Sequence, residues 1–105
     1  MPLTLNKLRC GVIYTDDFSD YLAQVHAEQV EDNPQRILTL EYIRYASGAM
    51  KGKAWWQLLW IPVDAAPDYR CFHMGGTPVH IPRAAQHGLR ERCLSYENGR
   101  VIVIP

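Results

Sequence analysis

Cys71-Phe72-His73 puts a thiol and an imidazole on one face of any strand they form, because side chains two apart share a face. With His80, His87 and Cys93 further along, these residue types offer either a soft-ligand metal site or a Cys–His nucleophile pair. The spacing speaks against the metal. Neither a Cys-x-x-Cys unit nor a helical His-x3-His pair occurs, so no metal and no cofactor are expected. The plainer reading is a buried thiol beside a hydrogen-bonded histidine. A nucleophile pair is defined by spatial geometry, which spacing alone does not supply. Glu41 is the one acid inside an apolar stretch. In a pocket its pKa would rise and it would serve as the base of a small enzyme's His/Cys/Glu site; on a solvated strand face it is an ordinary acid.

A second group of residues is suited to binding. Trp55-Trp56-Gln57-Leu58-Leu59-Trp60-Ile61-Pro62-Val63, read as a strand, is apolar on both faces. Trp56, Leu58 and Trp60 share one face, and Trp55, Gln57, Leu59, Ile61 and Val63 the other. An unpaired amide opposite a helix is costly, so Gln57 decides the orientation: Trp56, Leu58 and Trp60 belong beneath helices. Trp55, Gln57 and Leu59 then turn outward, with Tyr45 and His73 nearby. The candidate site is therefore an aromatic-lined pocket or subunit interface of Trp55, Gln57, Leu59, Tyr45 and His73, with Gln57 orienting a ligand.

The elements that must position these residues are legible in part. Leu8 to Tyr14 alternates as a strand, with Leu8, Cys10, Val12 and Tyr14 on one face. Thr15-Asp16-Asp17 offers capping oxygens and negative charge to a helix that carries Phe18, Tyr21, Leu22 and Val25 on one stripe and fades by Asp32. His26 sits at the edge of that stripe. Asn33-Pro34 either caps a second helix or breaks the chain before a strand. Ile37 to Tyr45 satisfies both periods in part and, being dense in Ile, Thr and Tyr, is expected to be a strand. Ser47 to Lys53 is the loop into the tryptophan strand. Asp64 to Asp68 is a turn, Tyr69 to Met74 a short strand, and Gly75-Gly76 a turn rather than a phosphate loop. Pro78 and Pro82 bracket Val79-His80-Ile81, which predicts at most a brief edge strand. Pro82 to His87 forms one or two helical turns, stopped by Gly88, that carry little core. Asn98-Gly99 predicts a type I′ hairpin pairing Glu97 with Arg100, Tyr96 with Val101 and Leu94 with Val103. Val101 to Ile104 is again apolar on both faces.

The chain has 105 residues, 48% of them hydrophobic and 21% charged, which suits one soluble domain, 1–105. Residues 1–50 carry four basic and seven acidic side chains (−3), and residues 51–105 seven basic and four acidic (+3). The sharper reading of this modest dipole is a basic patch around Arg83, Arg90, Arg92 and Arg100. The run from Gly76-Thr77-Pro78-Val79-His80-Ile81-Pro82 through Gly88-Leu89 to Asn98-Gly99-Arg100-Val101 resembles swapped-hairpin DNA-binding domains of the antitoxin and transition-state-regulator type. That resemblance covers about the last 30 residues and implies a weak nucleic-acid-binding module. Arg90-Glu91-Arg92 stands where those domains carry Gly-Asp. Nucleic acid is therefore not the expected partner.

Three scattered cysteines, no secretory leader pattern at Met1 to Tyr14 and no apolar run long enough to span a bilayer predict a cytoplasmic protein with reduced thiols and no membrane partner. The expected fold is α+β: a two-layer domain with a mostly antiparallel sheet, one main amphipathic helix and a C-terminal Asn-Gly hairpin. The expected function is that of a non-catalytic homo-oligomer, a dimer, with a small apolar ligand as the further candidate partner.

Overall fold

A computed structural model describes residues 5–49 and 51–105. Among the described residues eight strands form one curled sheet: β1 (Leu5–Lys7), β2 (Ile13–Thr15), β3 (Arg36–Arg44), β4 (Ala54–Pro62), β5 (Tyr69–Met74), β6 (Thr77–Pro82), β7 (Cys93–Glu97) and β8 (Arg100–Ile104). Their spatial order is β1-β2-β7-β8-β4-β3-β6-β5, antiparallel except for β2 beside β7 and β3 beside β6. The helices α1 (Asp16–Gln29) and α2 (Arg83–Leu89) pack with this sheet in an α+β architecture. No helix among the described residues is long and apolar enough to cross a membrane.

Local chemistry explains most boundaries. Thr15 caps α1, its hydroxyl accepting from the Phe18 backbone N–H at 3.2 Å, and Asp16 and Asp17 fill the first turn. A 3₁₀ turn, Val30–Asp32, prolongs the helix before the chain breaks at Asn33-Pro34. β3 is extended, as its β-branched and aromatic content predicts, and pairs with β4 over nine residues, Arg36↔Pro62 to Arg44↔Ala54. Asn98 and Gly99 take φ of 53° and 79°, and β7 and β8 pair in the predicted register.

Three expectations need correction. Leu8 to Tyr14 is not one strand: β1 and β2 form a hairpin that turns through Arg9-Cys10-Gly11, with Gly11 at φ 96°. The alternating residues still reach the core, because Val12 and Tyr14 are buried and Leu8 and Cys10 pack against them. β6 is an interior strand, not an edge. Pro78, His80 and Pro82 aim their backbone nitrogens at one neighbour, so prolines can be tolerated where that pairing is short. The full six-residue register with β5, and the single pair Thr39↔His80 with β3, put the missing donors on the β3 side. Finally, Gly88 lies within α2, which contributes buried Ala85 and Leu89 to the core. Glu91, at φ 61°, takes the left-handed position that ends the turn.

The core is a single cluster in which Phe18 and Leu22 of α1 and Ala85 and Leu89 of α2 meet Leu38, Leu40, Val79, Ile81, Leu94 and Val101 of the sheet. Both helices therefore lie against the same side of the sheet. The segment resembling swapped-hairpin domains is divided within it, β6 lying between β3 and β5 while β7 and β8 lie between β2 and β4.

Candidate functional site

Alternation along the β3–β4 ladder sorts its side chains into two faces. Leu38, Leu40 and Tyr42 with Trp56, Leu58 and Trp60 face the helices; the Trp60 indole N–H donates to Gln29 Oε1, at the end of α1, at 2.8 Å. The second face carries Ile37, Thr39, Glu41 and Ile43 opposite Ile61, Leu59, Gln57 and Trp55. Neither helix lies over it. β6 and β5 extend its rows: Cys71 and His80 continue the Thr39–Leu59 row, and His73 and Pro78 continue the Ile37–Ile61 row.

At one end of this face the Tyr45 and Trp55 rings lie 5.3 Å apart, and the Trp55 indole N–H donates to Gln57 Oε1 at 2.9 Å. Gln57 is exposed, and its amide oxygen is partnered by its neighbour. Leu59 follows two residues on. His73 is elsewhere, exposed on edge strand β5 and level with Ile61. The structure therefore gathers Tyr45, Trp55, Gln57 and Leu59 along one strip and leaves His73 at its far corner. Because β4 and β8 pair only at Trp56↔Val101, the two strands part beside Trp55 and Gln57 and open a recess of about 630 Å³. Tyr21, Lys53 and Arg100 also line it.

The middle of the second face is polar. Tyr69 reaches across β6 to donate its hydroxyl to Glu41 Oε1 at 2.9 Å. Burial first, then this hydrogen bond and the carboxylate charge, push the Tyr69 pKa up to about 12, so the phenol stays a donor. Glu41 Oε2 and His80 Nδ1 are buried without a hydrogen-bond partner among the described residues. A stranded polar atom of this kind costs about 1–3 kcal/mol, which a bound donor or acceptor would recover. Cys71 stands opposite His80 on β5 and is exposed rather than the buried thiol expected, yet partial desolvation pushes both the Cys71 and Cys93 thiols up, away from the thiolate that nucleophilic chemistry needs. Among the described residues no three His, Cys, Asp or Glu side chains group as metal ligands. Glu41 stands out in the sequence, but Tyr69, its partner, does not. The period-2 pattern marks Tyr69 and Cys71 as sharing a face, yet nothing local says that β5 and β3 flank the same strand.

Glu41 also borders a different cavity. β6 leaves the sheet at Pro82, level with Glu41 in the Thr39↔His80 register, and α2 swings away from β3. The gap encloses about 420 Å³ between Tyr42 and Trp56 on one wall and Ala85 and Gly88 on the other, with Glu41 and Arg92 supplying charge. Comparison with protein families, with curated proteins and with solved structures finds no match to this chain.

Proposed function

We propose that this protein is a non-catalytic binding protein that self-associates as a dimer through its second sheet face, with the recess beside Trp55 and Gln57 open to a small apolar ligand. The supporting observation is the one-sided placement of the helices. α1 and α2 join one core, while Ile37, Ile43, Trp55, Leu59 and Ile61 on the other side have no helix over them. All five are only partly buried. Full burial of an exposed side chain of this size is worth about 1.5–3 kcal/mol; each of the five is already partly buried, so association gains a part of that from each, set against the entropy cost of association. A two-fold axis through this face would pair each patch with itself, the usual geometry of a homodimer.

Sedimentation equilibrium tests the reading. A dimer is expected at about 10 μM, dissociating only on strong dilution. A monomer throughout an accessible range of about 1–100 μM defeats it.

The rival reading is a small enzyme using Glu41, His80 and Cys71, and it draws on the unpartnered Glu41 Oε2 and His80 Nδ1. It requires a reactive thiol, whereas the direction of the Cys71 pKa predicts alkylation at neutral pH slower than that of free cysteine. Faster alkylation would reverse the order of the two readings.

A further inference from the structure

α2 presents Arg83, Gln86 and His87 at positions i, i+3 and i+4, on one face of the helix, and Arg90 follows at its C-cap. Its other face holds Ala85 and Leu89 in the core. Arg70 approaches the basic face from β5, where it pairs with Ile81. These side chains line a recess of about 310 Å³ with Val12, and no acid among the described residues lines it; Asp68 borders the adjoining depression beside Arg83 and His87. Three arginines and one histidine therefore line one recess, which has ample room for a small anion.

Two features hold the arrangement in place. The Arg70 guanidinium lies over the Phe72 ring, 5.5 Å from its centroid, which restricts a side chain that would otherwise sample many rotamers. Gln86 Nε2 donates to the Ile81 carbonyl at 2.9 Å, tying the middle of the helical face to β6. Like charges gathered in this way repel, which a counter-charge among them would relieve. Of the four arginines that the sequence suggested as one patch, only Arg83 and Arg90 are here; Arg92 borders the cavity between α2 and β3, and Arg100 the recess between β4 and β8.

We infer that this recess binds a small phosphoryl-bearing anion, held by Arg70, Arg83 and Arg90. Guanidinium forks match phosphate oxygens in paired hydrogen bonds, and three of them around one recess suit a multiply charged group better than a single carboxylate. A compact site also differs from a nucleic-acid track, which needs basic residues repeated along a surface. The recess lies on the helix-bearing side of the sheet, so the inference does not depend on self-association.

Isothermal titration calorimetry with pyrophosphate tests it, with inorganic phosphate and a single-stranded oligonucleotide as parallel arms. One pyrophosphate is expected per chain, with affinity falling as salt is raised. Arg83→Ala and Arg90→Ala should each weaken binding about tenfold or more, equivalent to about 1.4 kcal/mol. Arg36→Ala and Arg44→Ala, on exposed positions of β3, should leave it within about twofold. Circular dichroism of each variant establishes that it is folded, and Arg70→Lys, which keeps charge but loses the fork, gives a second reading if an alanine variant is not. The inference is overturned if pyrophosphate does not bind, or if the β3 variants weaken it as much as the α2 variants. It is likewise overturned if the oligonucleotide binds more tightly with the steeper salt dependence of a phosphate track.

Discussion

Tyr69 and Glu41 show how one contact across three strands sets the chemistry of a face. The phenol donates at 2.9 Å, and burial together with the carboxylate raises its pKa from 10.0 to about 12. A folded-state value above the unfolded one means that the protonated phenol favours the folded state. Its contribution is whole below about pH 10 and is lost as pH rises through about 12. Tyr21 is raised too, by burial and then by Tyr96, with which it stacks at 3.9 Å. In an absorbance titration of the six tyrosines, Tyr69→Phe should remove the latest-ionising step and reduce the loss of stability between pH 10 and 12. If the step that disappears lies instead near pH 10, the phenol is not held by Glu41. Glu41 stood out in the sequence as a lone acid among apolar residues, but its partner lies 28 positions away and only the strand order introduces it.

At the scale of elements, caps and turns control how α1 and the β5–β6 hairpin dock. Thr15 both caps α1 and shares a hydrogen bond of 2.9 Å with Ser95 of β7, so it ties the helix start to the sheet. At the hairpin tip, the Gly75 N–H donates to the Tyr14 hydroxyl at 3.1 Å, and a Cβ on Gly75 would lie 2.9 Å from Ser19 Cβ. Gly75 and Gly99 both have positive φ, 61° and 79°, yet nothing lies within 4 Å of a Cβ built on Gly99. Gly99→Ala should therefore cost only the backbone term, about 1–2 kcal/mol, and Gly75→Ala distinctly more, by urea unfolding. Equal losses would mean that the hairpin tip does not press on α1. The Thr-Asp-Asp start of α1 and the Asn-Gly turn were legible because each is local chemistry. The end of α2 was not, because Glu91 rather than a glycine adopts the left-handed conformation there.

At the scale of the whole molecule, the strand order makes the two faces of β4 unequal. Leu58 and Leu59 are adjacent in sequence, similar in kind and both half-buried, yet one packs against the core and the other lies on the face without helices. Leu59→Lys should convert a dimer into a folded monomer with stability changed by no more than about 1 kcal/mol in its monomer, as for a surface substitution. Leu58→Lys should unfold the chain, because it drives a charge against the core. Sedimentation and circular dichroism of the pair check this. Unfolding by Leu59→Lys, or undiminished association, would remove the second face from the interface.

From the residues alone came the alternation that exposes two apolar faces of β4, the cap that starts α1, and the hairpin register of β7 and β8. Each depends on neighbours within a few positions, where sterics and hydrogen bonding act without knowledge of the fold. Tertiary structure alone decided that β6 sits inside the sheet, that Tyr69 meets Glu41, and that Arg70 joins Arg83 and Arg90. Such meetings depend on which strands lie side by side, and that is settled by burying one common core rather than by the preference of any single segment.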